Sequence, residues 1–211
     1  MSTIQARRAE PETQPEARIS LDLAGTLMTP EEFDSIEDWD EFYVYELIRG
    51  ILVVSPSPSP LERGPVDFLA HVLLSYQERQ PEGLALDATL PEHTIRVGTN
   101  RRRADRVIWA GLGRLPNFAE ETPTIVIEFV SAGKRNRHRD YVEKRDEYLG
   151  CGVKEYWVAD RFQRCMTVFR AGEEQRLEEA ETYRTPLLPG FELVMAKLFG
   201  FIDRMAGQAG A

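Results

Sequence analysis

The chain has 211 residues, 42% of them hydrophobic, and a formal net charge of -9. That apolar content supports a core and excludes global disorder, while the acidic balance excludes a nucleic-acid coat held by overall charge. Two cysteines, Cys151 and Cys165, and three scattered histidines form neither a disulfide framework nor a zinc spacing, and suit a reducing cytoplasm.

Residues 1–18 carry Pro11 and Pro15 and show no periodicity, which predicts a disordered tail before a single domain over 19–211. The tail lacks the apolar centre of a signal peptide, and no later stretch approaches the roughly 18 apolar residues of a membrane span. Thr29 and Pro30 open a short helix whose first turn holds Glu31 and Glu32. "EFYVYELIRGILVVSP" reads as a hairpin turning at Arg49-Gly50. "SPSPSP" leads into a helix over 61–79 with Phe68, Leu69, Val72 and Leu73 on its apolar stripe. "GLALDAT", "EHTIRVG" and "ADRVIWAG" read as three strands, and "PTIVIEFVS" as a fourth. A helix over 136–149 ends at Gly150; "KEYWVAD" and "CMTVFRAG" are strands, and the segment after Leu188 gives a turn and a last helix. This order predicts a mixed α/β fold, with "TIVIEFVS" central and joined to "KEYWVAD" by a right-handed parallel crossover.

Alternation places Val126, Glu128 and Val130 on one face of that central strand. A carboxylate there must be protonated, paired or bound to a cation. In the preceding strand Asp105 shares a face with Val107 and Trp109, opposite Arg106 and Ile108. If the strands pair, Asp105 and Glu128 meet at one end of the sheet. Two carboxylates with room for water suit Mg²⁺, or Mn²⁺ in its place. Asp140, Lys144 and Tyr148 form one helical stripe, so Lys144 either snorkels, pairs with Asp140, or serves the acids by orienting water or steadying charge on a phosphoryl oxygen.

Taken in order, "YELIRGILVVSPSP", "RRADRVIW", "PTIVIEFVS", "RDYVEKRDEYLGCGVKEYWVAD" and "LPGFEL" resemble the Uma-two family of nucleases within the restriction-endonuclease-like PD-(D/E)XK superfamily. The resemblance runs from Thr29 to Leu198. It implies a restriction-endonuclease-like mixed β-sheet flanked by helices, and a Mg²⁺-dependent endonuclease acting on DNA phosphodiester bonds. It also implies Asp105 and Glu128 as metal ligands, Lys144 as the catalytic lysine supplied by a helix, and Glu46 as an accessory acid. Val130 stands where the common superfamily pattern has lysine, and Lys134 is a rival for that role.

The runs Arg101-Arg102-Arg103 and Lys134 to Arg139 flank the two acids. Each run is either just a solvated loop or, at the rim of an acidic metal site, would place Arg101, Arg102, Arg103, Lys134, Arg135 and Arg137 on nucleic-acid phosphates. Two other readings stay open at this point. One is an inactive nuclease-like module for binding DNA or protein; the other is a structural ion-pair network of the acids with Lys144 and Arg106. The apolar "LFGFI" packs on its own core or on a second copy in a homodimer.

Overall fold

The hairpin at Arg49-Gly50 is present in the computed structural model, which describes residues 21–79 and 85–209. The expected tail at 1–18 lies outside those residues. Strands β1 (Tyr43–Ile48) and β2 (Ile51–Pro56) pair antiparallel across a two-residue turn. Both turn residues have positive φ, 52° for Arg49 and 76° for Gly50, the requirement of a turn that matches strand twist. Asn100 steadies the less willing Arg49 by accepting its N–H at 2.8 Å.

The two strands expected around Pro91 are one. Strand β3 (Leu86–Val97) runs through Pro91 and pairs along its length with β4 (Asn100–Ala110). Pro91 is tolerated because, among the described residues, β3 pairs with β4 alone, leaving its other edge with no donor to supply. The ladder skips one pair, Glu92 against Asp105, between Pro91↔Arg106 and His93↔Ala104. Glu92 there has φ 46°, an uncommon conformation for a residue with a side chain. The alternation changes phase at this bend: Ala104, Val107 and Trp109 share one core cluster, although 104 and 107 are an odd number apart.

Eight strands form one sheet in the order β2-β1-β4-β5-β6-β7-β8, with β3 also on β4. Only β5 (Ile125–Phe129) and β6 (Glu155–Asp160) are parallel. β7 (Cys165–Arg170) and β8 (Glu173–Glu178) complete the sheet, while β9 (Thr182–Tyr183) and β10 (Leu193–Val194) pair separately. Sequence reading missed β8 because its face is polar, with Leu177 its one buried residue.

One feature of this sheet positions the site. β3 occupies one edge of β4, so β1 and β5 share the other. β1 meets it at Arg101 and β5 at Arg106, Val107 and Ile108. Between them β4 is left open from 102 to 105, and the sheet forks.

Helices cover both faces. α1 (Pro30–Asp34) closes the hairpin end with Phe33 against Tyr45, Leu47 and Leu52. α2 (Pro60–Arg79) and α5 (Met195–Ala209) pack on the face of Ile125, Ile127 and Trp157. Leu198, Phe199 and Ile202 are buried there, so "LFGFI" lies on its own core. Pro65 sits inside α2 without an N–H for the carbonyl of Leu61, which accepts from Arg161 Nη1 instead at 3.3 Å. The opposite face carries a continuous helix: α3 (Lys134–His138), a π-helical turn (Arg139–Glu143) and α4 (Lys144–Gly150).

Away from the fork, Glu155 ties β6 to β7 and β9. It accepts from Trp157 Nε1 (2.9 Å), Tyr183 Oη (2.7 Å), Thr185 Oγ1 (2.9 Å) and Arg170 Nε (2.9 Å). Glu155→Ala leaves three buried donors and the half-buried Arg170 without their acceptor and is expected to cost about 3–5 kcal/mol. Urea denaturation checks this; a loss under ~1 kcal/mol would contradict the role.

Candidate active site

At the fork, side chains replace the missing strand partners. The Arg103 N–H donates to Glu46 Oε1 at 3.1 Å, and the Arg103 carbonyl accepts from Lys144 Nζ at 3.2 Å. The Phe129 N–H donates to Asp105 Oδ2 at 2.6 Å. The fork therefore gathers Glu46, Asp105, Glu128 and Lys144 in one cleft of about 870 Å³, which all four line.

Register fixes the two central acids. The pairs Arg106↔Ile127 and Val107↔Val126 are the last before the fork, so Asp105 and Glu128 are the next residue of each strand where the two part. Glu128 is 3% exposed, on the face of Val126 and Val130 as its alternation predicts. Its Oε1 accepts from Lys144 Nζ at 2.7 Å and from Tyr148 Oη at 3.1 Å. Among the described residues, no hydrogen bond falls on Glu128 Oε2 or Asp105 Oδ1.

Lys144 is 3% exposed and comes from the stripe Asp140, Lys144, Tyr148, all buried. The π turn contains Asp140 and runs up to Lys144, and π turns recur at functional sites. Lys144 pairs with Glu128, not with Asp140, whose Oδ1 accepts from Arg139 Nε at 3.1 Å. Glu46 makes no hydrogen bond to Lys144 among the described residues, though its charge helps to hold the ammonium. Val130 packs in the core beside Tyr148. Lys134 is exposed and does not line the cleft.

The arginine run is not a loop but part of β4. Arg101 is buried and forms a two-pronged pair with Asp34, at 2.7 and 2.6 Å. Arg102, also buried, does the same with Glu147, at 2.6 and 2.9 Å. Neither guanidinium is free for phosphate as expected. Arg103 reaches the cleft and contacts Glu92 at 3.1 Å. The second run is helical, with Lys134 and Arg135 exposed and Arg137 paired to Asp160 at 2.8 Å. Arg106 faces away from the acids, donating to the Val66 carbonyl and to Thr89 Oγ1, so it takes no part in their ion pairing. Sequence reading missed Arg63 and Arg139, which line the cleft, and the hydrogen bond of Tyr148 to Glu128. The signal available for Arg139 was its place next to Asp140 at the start of the stripe.

Burial is the main force on the site's proton equilibria. It pushes the Glu128 carboxyl up to about 8; Lys144 pulls the other way, and Asp105 and Asp140 add to the rise. Burial likewise pushes Asp105 up to about 6, against Lys144 and the Phe129 N–H. For Lys144 burial works against the charge, but Glu128, Glu46 and Asp140 outweigh it and its pKa is raised. The acids thus hold protons in the fold that the unfolded chain loses near its ordinary 3.8 and 4.5. Their contribution to stability is full below those values and is lost as pH rises through about 6 and then about 8.

These features fit a divalent cation. The donors are hard carboxylate oxygens in one cleft, each acid keeps one oxygen clear of internal hydrogen bonds, and their mutual repulsion is relieved by positive charge. Among the described residues, no group of three or more His, Cys, Asp or Glu side chains is disposed around one ion, so the protein would supply two carboxylates, with water completing the shell. A cation displaces the retained protons. The melting temperature of the metal-free protein is therefore expected to fall between about pH 5 and pH 9, and Mg²⁺ to raise it more at pH 8 than at pH 6. Differential scanning fluorimetry checks both; a larger Mg²⁺ effect on the acid side would count against the site.

A mixed sheet with helices on both faces, forked where a buried lysine meets paired acids, defines a restriction-endonuclease-like fold. A crystal structure described as "a putative nuclease belonging to DUF820" from Anabaena variabilis ATCC 29413 superposes with a TM-score of 0.66 at 16% identity, covering 83% of this chain and 99% of that one. The profile of the Uma2 family, described as "Putative restriction endonuclease", matches residues 30–196, and the chain belongs to that family. No curated protein matches the chain. Among the described residues no helix is long and apolar enough to cross a membrane.

Proposed function

We propose that this chain is a divalent-metal-dependent endonuclease that hydrolyses DNA phosphodiester bonds. Family and fold support a nuclease; the metal and the nucleic acid are our reading of the cleft. The observation that carries it is the gathering of Asp105 and Glu128 in one cleft, with Lys144 on Glu128 Oε1 at 2.7 Å.

Asp105 and Glu128 would hold Mg²⁺ or Mn²⁺ through the oxygens that internal hydrogen bonds leave over. When bound, such an ion supplies charge for the phosphate oxygens and acidifies a water. Lys144 has three N–H groups; Glu128 and the Arg103 carbonyl engage two of them. The third is left for the attacking water or a non-bridging phosphate oxygen, close to the acids and in a site with little solvent to weaken it. Tyr148, by donating to Glu128 Oε1, would hold that carboxylate so that Oε2 is left for the ion. Arg139 and Arg103 sit among the cleft-lining residues as phosphate contacts, in place of the buried Arg101 and Arg102. Such contacts position the strand without reading its sequence.

The test is cleavage of supercoiled, linear duplex and single-stranded DNA by the purified chain with Mg²⁺, with Mn²⁺ or with chelator. Cleavage that needs the cation is expected. Absence of cleavage with either ion, or cleavage indifferent to chelator, would overturn the proposal.

A further inference from the structure

We infer that a second groove, continuous with the acid cleft, seats an unpaired nucleobase of the strand being cut, so that the substrate is single-stranded or locally opened at the cleavage point. This rests on the nuclease reading and adds the substrate class.

The groove has a volume of about 590 Å³, within the roughly 300–1,000 Å³ of pockets that hold one small organic group. Ser57, Arg63, Glu92 and Arg103 line both spaces, so a strand can pass from one to the other. Its wall is aromatic. Trp39 and Tyr43 are half-buried, and Trp39 makes tilted contacts with Phe33 and Tyr45, ring centroids 4.9 and 4.7 Å away. The indole N–H is engaged by the Ile36 carbonyl at 2.9 Å, so Trp39 offers its ring rather than a donor. Phe42, 78% exposed, stands beside Ser57, whose N–H donates to the Phe42 carbonyl at 3.0 Å.

Charge selects what enters. Asp40 and Glu41 line the groove and repel phosphate, but their oxygens can accept from the exocyclic amines of a base; Asp34, also in the lining, is held by Arg101. At the junction the charge reverses. Arg63 Nε and Arg103 Nη2 flank the Glu92 carboxylate at 3.6 and 3.1 Å, and Arg103 Nε is buried without a hydrogen-bond partner among the described residues. Along the path the order is acids, arginines, aromatics. It matches a scissile phosphate, a neighbouring phosphate and a base, and base–aromatic stacking does not depend on which base is present.

The full chain, with Ca²⁺ in place of Mg²⁺, is titrated with a twelve-nucleotide single strand, its blunt duplex, and the same strand made abasic throughout. Intrinsic fluorescence is followed. Of the three tryptophans, Trp109 and Trp157 are fully buried, so quenching by a stacked base reports on Trp39. The single strand is expected to bind about 10-fold tighter than the abasic strand or the duplex and to quench, with Trp39→Phe removing the quench and Tyr43→Ala bringing the two strands level. Equal affinities for all three nucleic acids without quenching would overturn the inference, as would an arginine-rich peptide that quenches and displaces the strand. The abasic strand needs no variant, so a poorly folding Tyr43→Ala does not obscure the result. Cation-dependent cleavage of duplex with equal affinities sinks the groove proposal alone; no binding of any nucleic acid sinks the nuclease reading with it.

Discussion

Asp105→Asn is expected to lower cation-dependent cleavage by on the order of 10³-fold while the protein stays folded. The substitution removes one of two ionic ligands and keeps an oxygen for the Phe129 N–H, which now donates to Asp105 Oδ2 at 2.6 Å. It also removes a negative charge that helps to push the Glu128 carboxyl upward. Stability should therefore change little, and the metal-free protein should lose less stability above pH 6 than the wild type. Asp105→Ala should match it in activity but lose a further ~1–3 kcal/mol, because the Phe129 N–H is then left without its acceptor. Steady-state cleavage and urea denaturation on the same preparations separate the two effects. Cleavage by Asp105→Asn within about 3-fold of wild type, under ~1 kcal/mol in barrier, would remove Asp105 from the metal site.

Lys144→Met is expected to reduce cleavage by about 10²- to 10³-fold with metal binding kept or tightened. Methionine fills nearly the same volume, so packing beneath the π turn survives. Glu128 loses its cationic partner but keeps the Tyr148 hydroxyl, and can take up a proton when no ion is present. A cation should then find Glu128 without a competing ammonium at 2.7 Å. Calorimetric titration with Mn²⁺ should show affinity at least equal to that of the wild type, with the loss confined to turnover. If Lys144 serves only to neutralise Glu128 in the core, the variant will instead cleave normally once metal is bound.

Much of this site could be read before folding because it rests on local periodicity. Period two put Glu128 among valines, and the i, i+4, i+8 spacing put Asp140, Lys144 and Tyr148 on one stripe. Both placements hold in the structure. What escaped depends on partners distant in sequence. Arg101 and Arg102 look like a solvated run, yet they are buried by Asp34 and Glu147, 67 and 45 residues away. A charged residue's burial follows from its counter-ion, and no local pattern records that ion's position. Pro91 read as a break between strands, because the sequence does not reveal that the outer edge of β3 needs no donors. The phase change at Glu92 and Asp105 was hidden for the same reason: it is a property of the paired strands and the fork beside them. The π turn is invisible in a stripe that a regular helix would also satisfy.

The central claim is that Asp105 and Glu128 share one cation, and crystals grown with Mn²⁺ and measured for anomalous scattering address it most directly. The account predicts a single strong peak in the fork, about 2.0–2.3 Å from one oxygen of each acid, with Lys144 still on the other oxygen of Glu128. A cleft without anomalous density at saturating Mn²⁺, or a peak bound by residues other than these two, would contradict it.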